Sequence, residues 1–245
     1  MPYQSVIGID CATLAERTGV ARALRRTDGW VVDDVVLGSR SRPPAATLAE
    51  WLRDEPRTLI ALDAPLGWPA ALGPALVAHM AGDAIVVDSA ALFTRVTDHV
   101  VRERYGKRPL DVGADRIART ARAALGLLAA ARHTTGHAIA LAWDPADSDE
   151  PRAIEVYPAA TLAAHGLPSR QYKETGSPAR VPIAAALEDR LVLPGRLAPM
   201  AMPGDALDAL LCVVAGLDFV EGAAAGPAPA ERVVAEREGW IWVRG

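Results

Sequence analysis

The chain has 245 residues, 51% of them apolar and 23% charged, with a formal net charge of −4. It is long enough to bury a large core, and its mild acidity excludes both a disordered polyelectrolyte and a strongly basic nucleic-acid coat. Two cysteines, Cys11 and Cys212, are too few for a disulfide framework and predict a reducing, cytoplasmic setting.

Three strands are expected first. SVIGID (5–10) is a continuous apolar run, 18–26 alternates with a period near two, and WVVDDVVL (30–37) follows the Asp28-Gly29 hairpin signal. Pro43-Pro44 opens a helix over 45–54, and the apolar run TLIAL (58–62) predicts a buried parallel strand. The stretch 68–150 reads as a mainly helical insertion within a single domain, with a long Ala-rich helix at 114–132 and an acidic loop at 143–152. AIEVY (153–157) predicts another strand, 166–180 a loop, 181–193 a helix, 204–221 an apolar helix, 222–230 a linker and 239–244 a closing strand. The order predicts a mixed sheet flanked by helices, with chemistry expected outside the carboxyl ends of its parallel strands.

The N-terminal residues enter a strand pattern directly and lack a charged region followed by a long apolar core, so no signal peptide is expected. The apolar run 209–217, between Asp208 and Asp218, is far shorter than the roughly 20 residues of a membrane span.

Acids stand where such a sheet gathers its ligands. Asp10 ends the first strand, Asp63 ends the fourth and Glu155 lies inside AIEVY. Asp63 alone reads equally well as a turn former. Asp205 and Asp208 share a helix face in GDALDALL; Asp205 suits an N-cap, whereas Asp208 is followed at once by an apolar run and calls for a charge partner or a metal. Mg²⁺ and Mn²⁺ favour such oxygen ligands, and a pair of these ions can clamp both oxygens of a phosphodiester displacement.

The motifs VIGID, ALDAPLG, FTRVTDHVV, ADRIART, AIEVYPAATL, QYK, GDALDALLCVVAG and EGWIWV, in this order from Val6 to Val243, resemble the family called domain of unknown function 429. Its members are regarded as ribonuclease H-like nucleases, and DALDALL is similar to the last catalytic helix of RuvC-type resolvases. The resemblance implies an α/β ribonuclease H-like fold and a two-metal Mg²⁺ or Mn²⁺ site. Asp10, Asp63, Glu155 and Asp208 would be catalytic, with Asp205 as a further metal ligand. It also points to Arg95, Asp98, Arg116, Tyr157 and Lys173 as contacts to a nucleic-acid or nucleotide substrate. The helical glutamate of ribonuclease H has no identifiable counterpart; Glu50 lies on the expected helix without a motif.

Other features read more plainly. Between residues 98 and 122, seven basic residues face four acidic ones, which suits either solvated helix faces or a phosphate-binding rim. His133 and His137 flank a Gly-bearing helix end rather than a zinc helix. Of 26 basic residues only Lys107 and Lys173 are lysines, a bias that GC-rich coding explains. Three functions remain open: a metal-dependent phosphodiesterase, a nucleotide phosphotransferase or hydrolase of the sugar-kinase and actin-like type, and a non-catalytic binding protein. The last two start from the GID-type strand and from structural carboxylates respectively; no second Gly-rich phosphate loop is evident. The acidic balance favours a small or single-stranded substrate over extended duplex DNA.

Overall fold

The computed structural model describes residues 3–245 except 114, 148 and 196. Strands β1 (Ser5–Asp10), β2 (Gly19–Arg26) and β3 (Gly29–Leu37) form the expected antiparallel meander. Helix α1 (Pro44–Asp54) leads to β4 (Thr58–Asp63), which pairs parallel to β1. Then come the short helices α2 (Leu72–Leu76) and α3 (Ser89–Phe93), followed by α4 (Val96–Tyr105) and α5 (Asp115–Thr135). Two further parallel strands, β5 (Ala140–Leu141) and β6 (Arg152–Glu155), give a six-stranded sheet of order β3-β2-β1-β4-β6-β5. Helices α6 (Pro158–Ala164), α7 (Arg180–Arg190) and α8 (Gly204–Val220) follow, and the chain closes with β7 (Ala224–Ala225), α9 (Arg232–Glu238) and β8 (Val243–Arg244).

Alternation along the strands feeds two cores. Val6, Ala21, Ala23, Leu59, Ala61 and Ile154 face α8, whose side chains are buried from Ala206 to Val220. Ile7, Ile9, Val20, Ile60 and Leu62 face the other way, onto Leu48, Trp51 and Leu52 of α1 and Ala124, Leu128 and Ala131 of α5. Helix α5, within the stretch expected to be mainly helical, thus packs with α1 on this face of the sheet, and its small alanines let it lie close. Position 114, where that helix was expected to begin, and position 148 of the predicted acidic loop lie outside the described residues.

Two glycines set the distance between α8 and the sheet. A Cβ on Gly8 would lie 2.1 Å from the Ala209 carbonyl oxygen, and one on Gly19 would lie 2.1 Å from that of Asp205. Only a residue without a side chain lets the helix backbone come this close. The expected closing strand at 239–244 is mostly irregular. It contributes one parallel bridge, Glu155 to Ile241, and the two-residue β8, while α9 occupies a stretch given no element in advance. No described helix is long and apolar enough to cross a membrane.

Candidate metal centre

Register brings the acids together. β1 and β4 are parallel neighbours in which Asp10 sits directly opposite Asp63, so both carboxylates leave the same face of the sheet. That is the face covered by α8, and the close approach at Gly8 and Gly19 lowers Asp208 onto them. Asp10, Asp63 and Asp208 each offer an oxygen within 4.8 Å of the other two. Asp208 is wholly buried and Asp10 nearly so.

This arrangement opposes ionisation. Burial, then the charges of Asp63 and Asp208, push the Asp10 carboxyl up to about 9. Burial and Asp208 push Asp63 up to about 8, against the pull of Lys173. Asp208 is raised by burial, opposed by Lys173 and by the Tyr172 hydroxyl. Neither Asp208 oxygen accepts a well-aligned hydrogen bond among the described residues; the Lys173 ammonium meets Oδ2 as an ion pair. Crowded, poorly solvated carboxylates with free lone pairs are the donor set of a hard divalent cation, and these residues fit one.

Asp10 and Asp63 line a cavity of about 530 Å³, while Asp208 stays fully buried beside them. Its walls include Thr13, Leu14 and Arg17 after β1, Pro109, Leu110, Arg116 and Thr120 around the start of α5, and Tyr157 and Lys173.

The profile of the DUF429 family, described as a protein of unknown function, matches residues 8–232. The chain belongs to the DUF429 family. No curated protein matches it. Among solved structures, T. thermophilus RuvC in complex with a Holliday junction substrate aligns over 89% of this chain and 98% of its own, at 13% identity and a TM-score of 0.37. The DUF429 chain has the ribonuclease H-like fold by its own topology: an antiparallel β3-β2-β1 meander, then the parallel strands β4, β6 and β5.

Several residues expected at the site have other engagements. Glu155 pairs in register with Leu62, one position before Asp63, so its side chain leaves the opposite face. There Arg95 grips both its oxygens, at 2.7 and 2.8 Å, and the Leu66 amide donates to Oε2 at 3.0 Å. Burial raises the Glu155 carboxyl, with Arg95 opposing. It is the acid of a buried ion pair; it also borders the cavity, and its charge helps raise the Asp63 carboxyl, but it is not one of the three clustered carboxylates. Arg95 and Asp98, expected to touch substrate, are both buried; Arg95 donates to the two oxygens of Asp98 and still borders the cavity. Asp205 lies in the first turn of α8 instead of capping it, and its carboxylate meets Arg17 at 3.0 Å on the cavity rim. Arg116 and Tyr157 line the cavity. Glu50 is exposed on α1, and His137 pairs with Glu150 at 2.7 Å.

Two contributors were not foreseen. Glu238 accepts from the amides of Ala70 and Val96, which fastens α9 to the segments beside Arg95. Arg180 is wholly buried and donates to the carbonyls of Tyr172, Lys173, Pro199 and Met202 at 2.6–3.0 Å. Nothing in its sequence neighbourhood separates it from the other 23 arginines; the one available signal is its place at the start of a helix, beside the expected loop.

Proposed function

We propose that this chain is a divalent-metal-dependent phosphodiesterase acting on nucleic acid or a nucleotide, with Asp10, Asp63 and Asp208 as the metal ligands. One observation carries the reading: three carboxylates from β1, β4 and α8 converge within 4.8 Å of one another, and two of them, Asp10 and Asp63, line a cavity of about 530 Å³. A bound Mg²⁺ or Mn²⁺ supplies Lewis-acid polarisation of a phosphodiester and an activated water. The chain's own residues do the rest. The carboxylates would hold the ion from the sheet side, while Arg116 and Tyr157 present a cation and an aromatic wall to the substrate. With Glu155 and Asp205 each paired to an arginine at the cavity, three clustered carboxylates remain, so a second ion would draw on oxygens from the substrate.

The test is cleavage of labelled single-stranded and duplex DNA and RNA, and of bis(p-nitrophenyl) phosphate, in Mn²⁺. Wild type is expected to cleave at least one of them and Asp10→Asn none. Cleavage retained by Asp10→Asn overturns the proposal, and ATP hydrolysis without diester cleavage favours the phosphotransferase reading. A binding role draws support from the Lys173–Asp208 ion pair, which already compensates one acid internally. Nucleotide binding without any turnover would favour that reading.

A further inference from the structure

Resting on the metal reading above, we propose that Lys173 is the internal counter-ion of the carboxylate cluster, holding a cation's place at Asp208 until a divalent metal displaces it. The other cations lining the cavity are placed differently. Arg95 is taken by Glu155 and Asp98, Arg17 by Asp205 on the rim, and Arg116 is exposed. Lys173 alone among them pairs with a member of the trio, and its charge also faces Asp10 and Asp63.

Its backbone is fixed and its side chain is not. Arg180 holds the Tyr172 and Lys173 carbonyls, each at 2.7 Å, and Gln171 before them adopts a left-handed φ of +56°. Gly204, at the start of α8, lies so close that a Cβ there would be 2.8 Å from the Lys173 oxygen. The side chain, by contrast, is 56% exposed and lines the cavity. A four-carbon stem lets the ammonium leave Asp208 for the cavity without moving the backbone. The residue type matters in a chain with 24 arginines among its 26 basic residues. An ammonium is a compact point charge that can fill a cation's position between carboxylates, and a planar guanidinium is not. Once displaced, Lys173 faces the space an anionic substrate would enter, so metal loading and anion binding favour one another.

Two measurements test this. The first is calorimetric Mn²⁺ binding to wild type, Lys173→Met and Lys173→Arg at alkaline pH, where protons compete least. Removing the competing charge is expected to tighten binding at least about tenfold in Lys173→Met, while Lys173→Arg stays near wild type or weaker. Equal or weaker binding by Lys173→Met overturns the inference and leaves the metal reading intact. No binding by any of the three overturns both. The second needs no substitution at the site. Selective carbon-13 labelling of lysine gives two ε-methylene signals, assigned with Lys107→Arg. Mg²⁺ is expected to move the Lys173 signal and leave that of Lys107; a Lys173 signal unmoved at metal saturation overturns the inference.

Discussion

Replacing Glu155 with glutamine separates a metal ligand from an ion-pair acid. Glu155 is 3% exposed and receives two hydrogen bonds from Arg95, itself 1% exposed, and one from the Leu66 amide. Glutamine keeps the volume and one acceptor oxygen, but it removes the charge that compensates the guanidinium and turns an amide nitrogen toward a donor. Breaking a buried pair from one side costs about 3–5 kcal/mol. Asp98 still contacts Arg95, so the lower end, about 3 kcal/mol, is expected. For a chain of this size that lowers the melting temperature by roughly 6–12 °C. Scanning calorimetry with and without Mn²⁺ reads both quantities. The expected result is a lower melting temperature with an undiminished Mn²⁺-induced rise. A variant as stable as wild type that has lost its Mn²⁺ response would refute this placement of Glu155 and return it to the metal cluster.

Further outcomes follow from the same geometry. The Asp10 and Asp63 carboxyls titrate near 9 and 8 in the fold, above their unfolded values, so the folded state retains protons that the unfolded chain has released. Metal-free protein should thus be most stable at mildly acid pH and lose stability as pH rises toward 8–9, and Mn²⁺ should narrow the difference; urea midpoints across pH check this, and a flat profile would contradict it. Gly8→Ala sets a Cβ 2.1 Å from the Ala209 oxygen, so α8 must move off β1. It should destabilise by about 2 kcal/mol or more and weaken Mn²⁺ binding, both read by thermal unfolding in a metal titration. Arg180→Lys offers one ammonium to four buried carbonyls and should cost about 2 kcal/mol or more in chemical denaturation.

Much of this was legible in the chain. The meander, the β4 strand, the apolar α8 and the carboxylates of Asp10, Asp63 and Asp208 all follow from runs and periods that read locally. Glu155 shows where local reading ends. It lies in a strand like the other acids, but strand parity decides its face, and parity across β4 and β6 is set by register, which sequence position does not reveal. The partners of Arg95 were equally hidden, because an arginine that saturates two buried carboxylates looks the same in sequence as one awaiting phosphate. The packing of helix α5 was likewise not legible: its alanines mark a helix but not the sheet face that it covers.

The central claim is that Asp10, Asp63 and Asp208 form a divalent-metal centre. Thermal unfolding of wild type and Asp10→Asn across a Mn²⁺ titration tests it most directly. At a hundredfold excess over the dissociation constant, wild type should gain about 2.7 kcal/mol. Asp10→Asn, which removes a carboxyl whose ionisation the fold opposes, should start no less stable than wild type and gain much less. A flat response in wild type, or an equal gain in both proteins, would contradict the account.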